Sequence, residues 1–209
     1  MPFRLKRSAC VVIGTFNIYI VQPRWLARMG IIPKGVPVTI TTKMDEPGFR
    51  FTSSKIPCAW LVTPGRIEVS TEDPTVDCGE AASKVLKNLP WTPVTAIGHN
   101  SIYTAAVTEL ELLQCFQGVY PQPEGYECVR RTVHFGLKQG DQVFNVQAAV
   151  TPEEIELATN SHTDLGERDN EFAHQTAAQF LEHRRKAECL ARDLFKVSIE
   201  HGNQNSPPE

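Results

Sequence analysis

Apolar and polar residues alternate along much of this chain, and in four places the spacing changes to a helical one. Residues 9–20 are rich in β-branched and apolar side chains and predict a strand. Gln22-Pro23 then opens a short helix over 24–29, with proline near its first turn and Gly30 at its exit. Residues 36–42, with Val38 and Ile40 on one face, and Phe49-Arg50-Phe51 predict further strands. Residues 59–62 and 67–69 flank the turn Thr63-Pro64-Gly65-Arg66 and predict a hairpin. Ala82, Val85, Leu86 and Leu89 recur at i, i+3, i+4 and i+7, which predicts an amphipathic helix over 79–89, ended by Pro90.

The second half follows the same order. Residues 94–105 predict a strand and 108–116 a short helix, with Thr108 as N-cap and Glu111 completing a capping box. Residues 128–137 and 142–150 predict two strands around Lys138-Gln139-Gly140-Asp141. Residues 154–159 predict a third strand, although Pro152-Glu153-Glu154 also suits a helix start. The longest helical signal runs over 170–199, where Ala173, Ala177, Phe180, Ala187, Leu190 and Leu194 trace one face. The tail 201–209 is polar and is expected to be disordered.

This order suggests a duplication. Residues 13–19 align without gaps on 97–103, an offset of 84, with Ile, Gly, Ile and Tyr coinciding. The fold class that follows is α+β: a curved antiparallel sheet with helices on one face, built from two pseudo-repeats of β-α-β(3–4)-α. The units span 1–90 and 91–200, with 201–209 as a tail and their first strands joined in one sheet. Gly14 and Gly98 mark points where long strands bend.

Two motifs carry a resemblance. The run from Val21 through Gln22-Pro23-Arg24-Trp25 to Gly30-Ile31-Ile32-Pro33, and Thr92-Pro93-Val94 followed by Gly98-His99-Asn100, resemble a pattern in uncharacterised bacterial and phage-borne proteins. The resemblance covers about the first 105 residues and the second half by element order alone. It implies a phage- or defence-linked setting and no particular activity. The order of elements, doubled, also resembles the TATA-binding-protein-like saddle architecture, in topology only.

Composition changes this picture little. The chain has 209 residues, 21 Lys+Arg, 24 Asp+Glu and a formal net charge of −3, which excludes nucleic-acid binding driven by bulk charge. Basic residues precede the first apolar run, but Asn17 interrupts it and no small-x-small site follows, so it is read as part of the fold. No apolar run approaches the length of a membrane span, and a cytoplasmic location is expected. The six cysteines form no C-x-x-C pair and are expected to be reduced and mostly buried.

Candidate chemistry is sparse. Asn160-Ser161-His162-Thr163-Asp164 is the densest polar group; His162 is a candidate general base or metal ligand oriented by Asp164, set against a polar loop beside a helix cap. His99 and His134 are further candidates that would have to meet His162 in space. No phosphate-loop, dinucleotide, serine-hydrolase or zinc-protease motif is present, and no cofactor is expected. Arg184, Arg185 and Lys186 form the strongest basic run and are candidates for nucleic-acid contact, against a solvated helix face balanced by Glu182 and Glu188. The expectation is therefore a non-enzymatic protein that binds a protein partner or itself. Nucleic-acid binding through the last helix is the alternative, and an enzyme centred on His162 the second.

Overall fold

A computed structural model describes residues 2–42, 45, 47–106, 124–125 and 129–200. The helix expected over 108–116, Cys115, Cys128 and the tail 201–209 lie outside the described residues.

Among the described residues the chain is an α+β protein with one large open antiparallel sheet and four helices. The elements run β1 (Pro2–Gly14), α1 (Pro23–Arg28), β2 (Thr39–Thr41), β3 (Phe49–Ser53), β4 (Ile56–Thr63), β5 (Arg66–Thr71) and α2 (Cys78–Lys87). They continue with β6 (Val94–Ala106), β7 (Arg131–Gln139), β8 (Gln142–Val150), β9 (Glu154–Asp164), α3 (Asn170–Ala178), α4 (Phe180–Phe195) and β10 (Ser198–Glu200). The sheet order is β2-β3-β4-β5-β1-β6-β9-β8-β7, with β10 alongside β1 in parallel. β1 and β6, each 13 residues long, form the centre and pair antiparallel, with Val11 opposite Gly98.

A register shift between Leu5 and Arg7 decides which β1 side chains enter the core. Side chains alternate along a strand, so Phe3, Leu5 and Arg7 would otherwise share one face. The irregularity at Lys6 reverses the alternation, as a β-bulge does. Phe3 is fully buried beneath α4 and β10, while further on Cys10 and Val12 take the helix side. Arg7 and Ala9 turn to the opposite face, where they line a common depression.

The helices α2, α3 and α4 cover the face that carries Cys10, Val12 and Ile97. Ala82, Val85 and Leu86 of α2 are buried there, as the spacing predicts, and Leu26 of α1 joins the same cluster. Full burial of one such leucine contributes about 1.5–3 kcal/mol. A second cluster, with Phe3, Tyr103, Val146, Leu157 and Phe195, lies beneath α4.

The helical signal over 170–199 resolves into two helices and a strand, because the chain leaves helical geometry at Gln179 and again at Lys196. At the first break α2 packs tightly against the chain: a Cβ on Gly79 would lie 2.1 Å from the Ala177 carbonyl oxygen. At the second, Lys196 adopts the left-handed conformation, with φ 55°, and closes α4 by donating its N–H to the Arg192 carbonyl. Asp77 and Asp169 cap α2 and α3 by accepting from backbone N–H groups. The segment 154–159, ambiguous in sequence, is part of an eleven-residue strand that runs through the 160–164 cluster.

Candidate functional site

The face of the sheet opposite α2–α4 carries polar side chains in rows across the strands. Asn145 on β8, Asn160 on β9 and Asn100 on β6 stand directly opposite one another. Asn145 Nδ2 donates to Asn160 Oδ1 at 3.2 Å, and Asn160 Nδ2 donates to Asn100 Oδ1, so the three amides form one directed chain. Next to them Arg7 of β1 and Arg66 of β5 each donate to a different oxygen of Glu68. The Glu68 side chain is only 5% exposed, so its charge is compensated almost entirely by these two guanidiniums. Burial first, and Arg7 second, push the Arg66 guanidinium below its ordinary range. These groups, with His134, Gln147, Ala9 and Ala158, line a depression of about 330 Å³. Its floor is a fixed, hydrogen-bonded polar surface with small apolar side chains between the polar ones.

The residues singled out in the sequence lie apart. Asn160, His162 and Asp164 share one strand face, and His162 Nε2 lies 2.8 Å from Asp164 Oδ1 at the exposed end of β9. His162 pairs across the sheet with Gly98 and Val143, whereas His134 pairs with Gln147 on the outer strand and lines the depression. His99 points the other way, into the helix layer, where its ring meets Phe180 and His183. The three histidines therefore do not share a site. Among the described residues, no group of three or more His, Cys, Asp and Glu is placed to hold a metal ion.

The basic run on α4 divides in the same way. Arg184 turns inward: its side chain is 9% exposed, Nε lies 3.6 Å from Glu188 Oε1, and Nη2 donates to the Pro74 carbonyl at 2.8 Å. Arg185 and Lys186 face outward, and Lys186 pairs with Glu182 at 2.9 Å. This helix lies on the other side of the sheet from the amide row.

Beneath α4 a polar seam separates the two apolar clusters. On β6, Ile97 belongs to the first cluster and Tyr103 to the second, with buried His99 and Ser101 between them. On β9, buried Thr159, Ser161 and Thr163 lie between Leu157 and Leu165 in the same manner. His99 Nδ1 and His183 Nδ1 are 2.6 Å apart, and Gln142 Nε2 lies 2.8 Å from His183 Nε2. Burial and the neighbouring His183 lower His99 to about 3. His183 is also lowered, by burial and then by Lys186. Tyr103 donates its hydroxyl to Glu188, and burial together with the Glu188 charge pushes the phenol up.

Sequence reading named Asn100 and Asn160 within local groups and counted Arg7 only among the basic residues before the first apolar run, and it missed Arg66, Glu68, Asn145 and Gln147 as partners. Their signal is polar residues spaced two apart, Arg66, Glu68 and Ser70 on β5, Asn145 and Gln147 on β8, and Asn160, His162 and Asp164 on β9, which marks one strand face as uncovered. Compared with known proteins, the chain matches no family model and no curated sequence.

Proposed function

We propose that this chain is a non-enzymatic interaction or assembly protein that binds a protein partner on the open face of its sheet. The observation that carries this reading is the Arg7–Glu68–Arg66 cluster beside the Asn100–Asn160–Asn145 chain. Its donors and acceptors are held in place by one another, so little side-chain freedom remains to be lost on association. The surface mixes signs: two arginines surround one carboxylate, and Glu154, Glu156 and Asp164 follow along β9. Such a mixture, interleaved with Ala9, Ile102 and Ala158, suits a protein surface better than a phosphate backbone, which favours a uniformly basic one.

The duplication belongs to the same proposal, with the halves 1–90 and 91–200 meeting at β1 and β6. Both central strands have 13 residues, and α2 and α3, which come after the strands of their respective halves, are each capped by an aspartate, Asp77 and Asp169. The seven-residue match at an offset of 84 does not describe that equivalence, since Gly14 ends β1 while Gly98 lies inside β6. No helix among the described residues is long and apolar enough to cross a membrane, and a cytoplasmic, phage- or defence-linked setting is part of the proposal.

Affinity capture from a native extract tests the reading, with wild-type protein and Ala158→Arg side by side. The substitution fills the depression and leaves the arginine–glutamate cluster intact. The expected result is a protein captured by the wild type, lost with Ala158→Arg and unaffected by nuclease. Identical capture by both chains, or recovery of nuclease-sensitive material alone, would overturn it.

A further inference from the structure

Away from the amide row, α1, the segments on either side of it and Leu89 line a second depression, of about 930 Å³. Its apolar lining includes Ile20, Trp25 and Leu89, and the last two also pack against the first core cluster. Arg24 and Arg28 come from α1 and Lys34 from the turn after it. All three are exposed, and no carboxylate lines the depression among the described residues. Tyr19, 80% exposed, stands at its border, and Trp91, 93% exposed, follows Leu89 by two residues.

Large aromatic side chains left in water are costly to expose, and beside arginine they form the side-chain set most enriched where proteins bind tightly. Tyr19 belongs to the loop before α1 and Leu89 to the segment after α2, so two segments distant in sequence meet at this depression. The three cations have no acidic counterpart in the lining, which leaves a positive field over an apolar floor.

We propose that this cleft docks an acidic segment of a partner protein, one that carries an apolar or aromatic side chain between its carboxylates. The carboxylates meet Arg24, Arg28 and Lys34, and the apolar side chain lies on Trp25 and Leu89. The inference rests on the reading of this chain as a protein-binding module and supplies a contact separate from the amide row. Arginine presents a planar fork to a carboxylate, so Arg24 and Arg28 set direction as well as attraction.

The test is fluorescence anisotropy with a fluorescein-labelled Glu-Asp-Glu-Phe-Asp-Glu peptide and the full chain. Saturable binding is expected, weakening as salt rises and falling on the order of ten-fold or more in Arg24→Glu/Arg28→Glu. A peptide with Phe replaced by Ser should bind more weakly, and so should Tyr19→Ala with the parent peptide. Ala158→Arg, which alters only the other face, should bind the peptide as the wild type does. No binding of the peptide, equal binding by the charge-reversed chain, or stronger competition by a dT oligonucleotide than by unlabelled peptide would overturn the inference. If the peptide fails while Ala158→Arg still abolishes capture of a protein, only this cleft is misassigned. If capture is unchanged by Ala158→Arg, the open-face reading fails on its own.

Discussion

His183 on α4 faces His99 on β6 with their Nδ1 atoms 2.6 Å apart. One of these nitrogens must carry the proton and the other accept it. Gln142 supplies the direction: its Nε2 donates to His183 Nε2, so the His183 proton sits on Nδ1 and is given to His99. His99 is then protonated on Nε2, a buried atom with no hydrogen-bond partner of ordinary geometry among the described residues, and the nearby Ala177 backbone opposes the lowering of its pKa less than burial and His183 promote it.

This pair predicts acid sensitivity. Both rings titrate lower in the folded chain than in the unfolded one, His99 at about 3 against 6.5. The unfolded state therefore takes up protons first as pH falls. The stabilising contribution is full above about pH 6.5 and is lost as pH drops toward 3, by about 1.4 kcal/mol per unit for each fully titrating histidine. Urea midpoints measured from pH 7.5 down to 4.5 should fall steeply in the wild type. His99→Leu should be less stable at pH 7.5 but flatter across the same range; an unchanged slope would show that this ring does not titrate on unfolding.

A second prediction concerns Glu188, 2% exposed, which accepts from Tyr103 and lies beside the inward-turned Arg184. Removing its carboxylate leaves Arg184 without its charge partner in the helix layer. Glu188→Ala should cost about 3–5 kcal/mol in urea unfolding at pH 7. Tyr103→Phe removes the hydrogen bond to this carboxylate but leaves the carboxylate beside Arg184, and should cost about 1.5–3 kcal/mol. Costs of similar size for Glu188→Ala and Tyr103→Phe would show that the arginine depends little on this carboxylate.

The contrast between these sites and the sequence signals has physical causes. The α2 stripe, the Pro64-Gly65 hairpin and the long strand 94–106 were legible because each follows from spacing and turn chemistry within one segment. The break at Gln179 was not, because the apolar face continues across it from Ala177 to Phe180, and the constraint comes from Gly79, 100 positions away. The bulge at Lys6 hid the role of Arg7, since unbroken alternation would place that residue beside Phe3 and Leu5. His162 stood out because its polar neighbours are local, whereas the amide row is assembled from three strands and exists only once they are in register.

Gly79 gives a third prediction. A Cβ there would lie 2.1 Å from the Ala177 carbonyl oxygen and 2.3 Å from Phe180 Cβ, so the α2 backbone and the α3–α4 junction meet without a side chain between them. Both contacts are to atoms on or next to the backbone, which cannot rotate away. In an isolated helix, alanine would be the better residue. Here Gly79→Ala should destabilise by about 1–3 kcal/mol or more in thermal or urea unfolding. A neutral or stabilising result would show that α2 and α3 pack less closely than this contact requires. Gly136→Ala serves as the control, because its nearest neighbour, Asn145 Oδ1, is at an ordinary 3.6 Å. That substitution should be neutral or stabilise by up to about 1 kcal/mol.

Thiol reactivity separates the two sides of α4 from the core. Cys10, Cys58 and Cys78 are buried, and Cys189 is exposed on the outward face of α4. Burial raises the Cys10 thiol; a hydrogen bond with Cys58, and then burial, raise Cys78. The same bond lowers Cys58, but its sulfur stays in the core and out of reach of a bulky disulfide reagent. Native protein treated with 5,5′-dithiobis(2-nitrobenzoate) should therefore lose one rapidly reacting thiol on Cys189→Ser. Cys58→Ser and Cys78→Ser should leave the fast phase unchanged and lower only the total released in denaturant. A fast phase that survives Cys189→Ser at full amplitude would mean that α4 does not present this face to solvent, and would remove the basis for placing Arg184 inward, five positions earlier on the same helix.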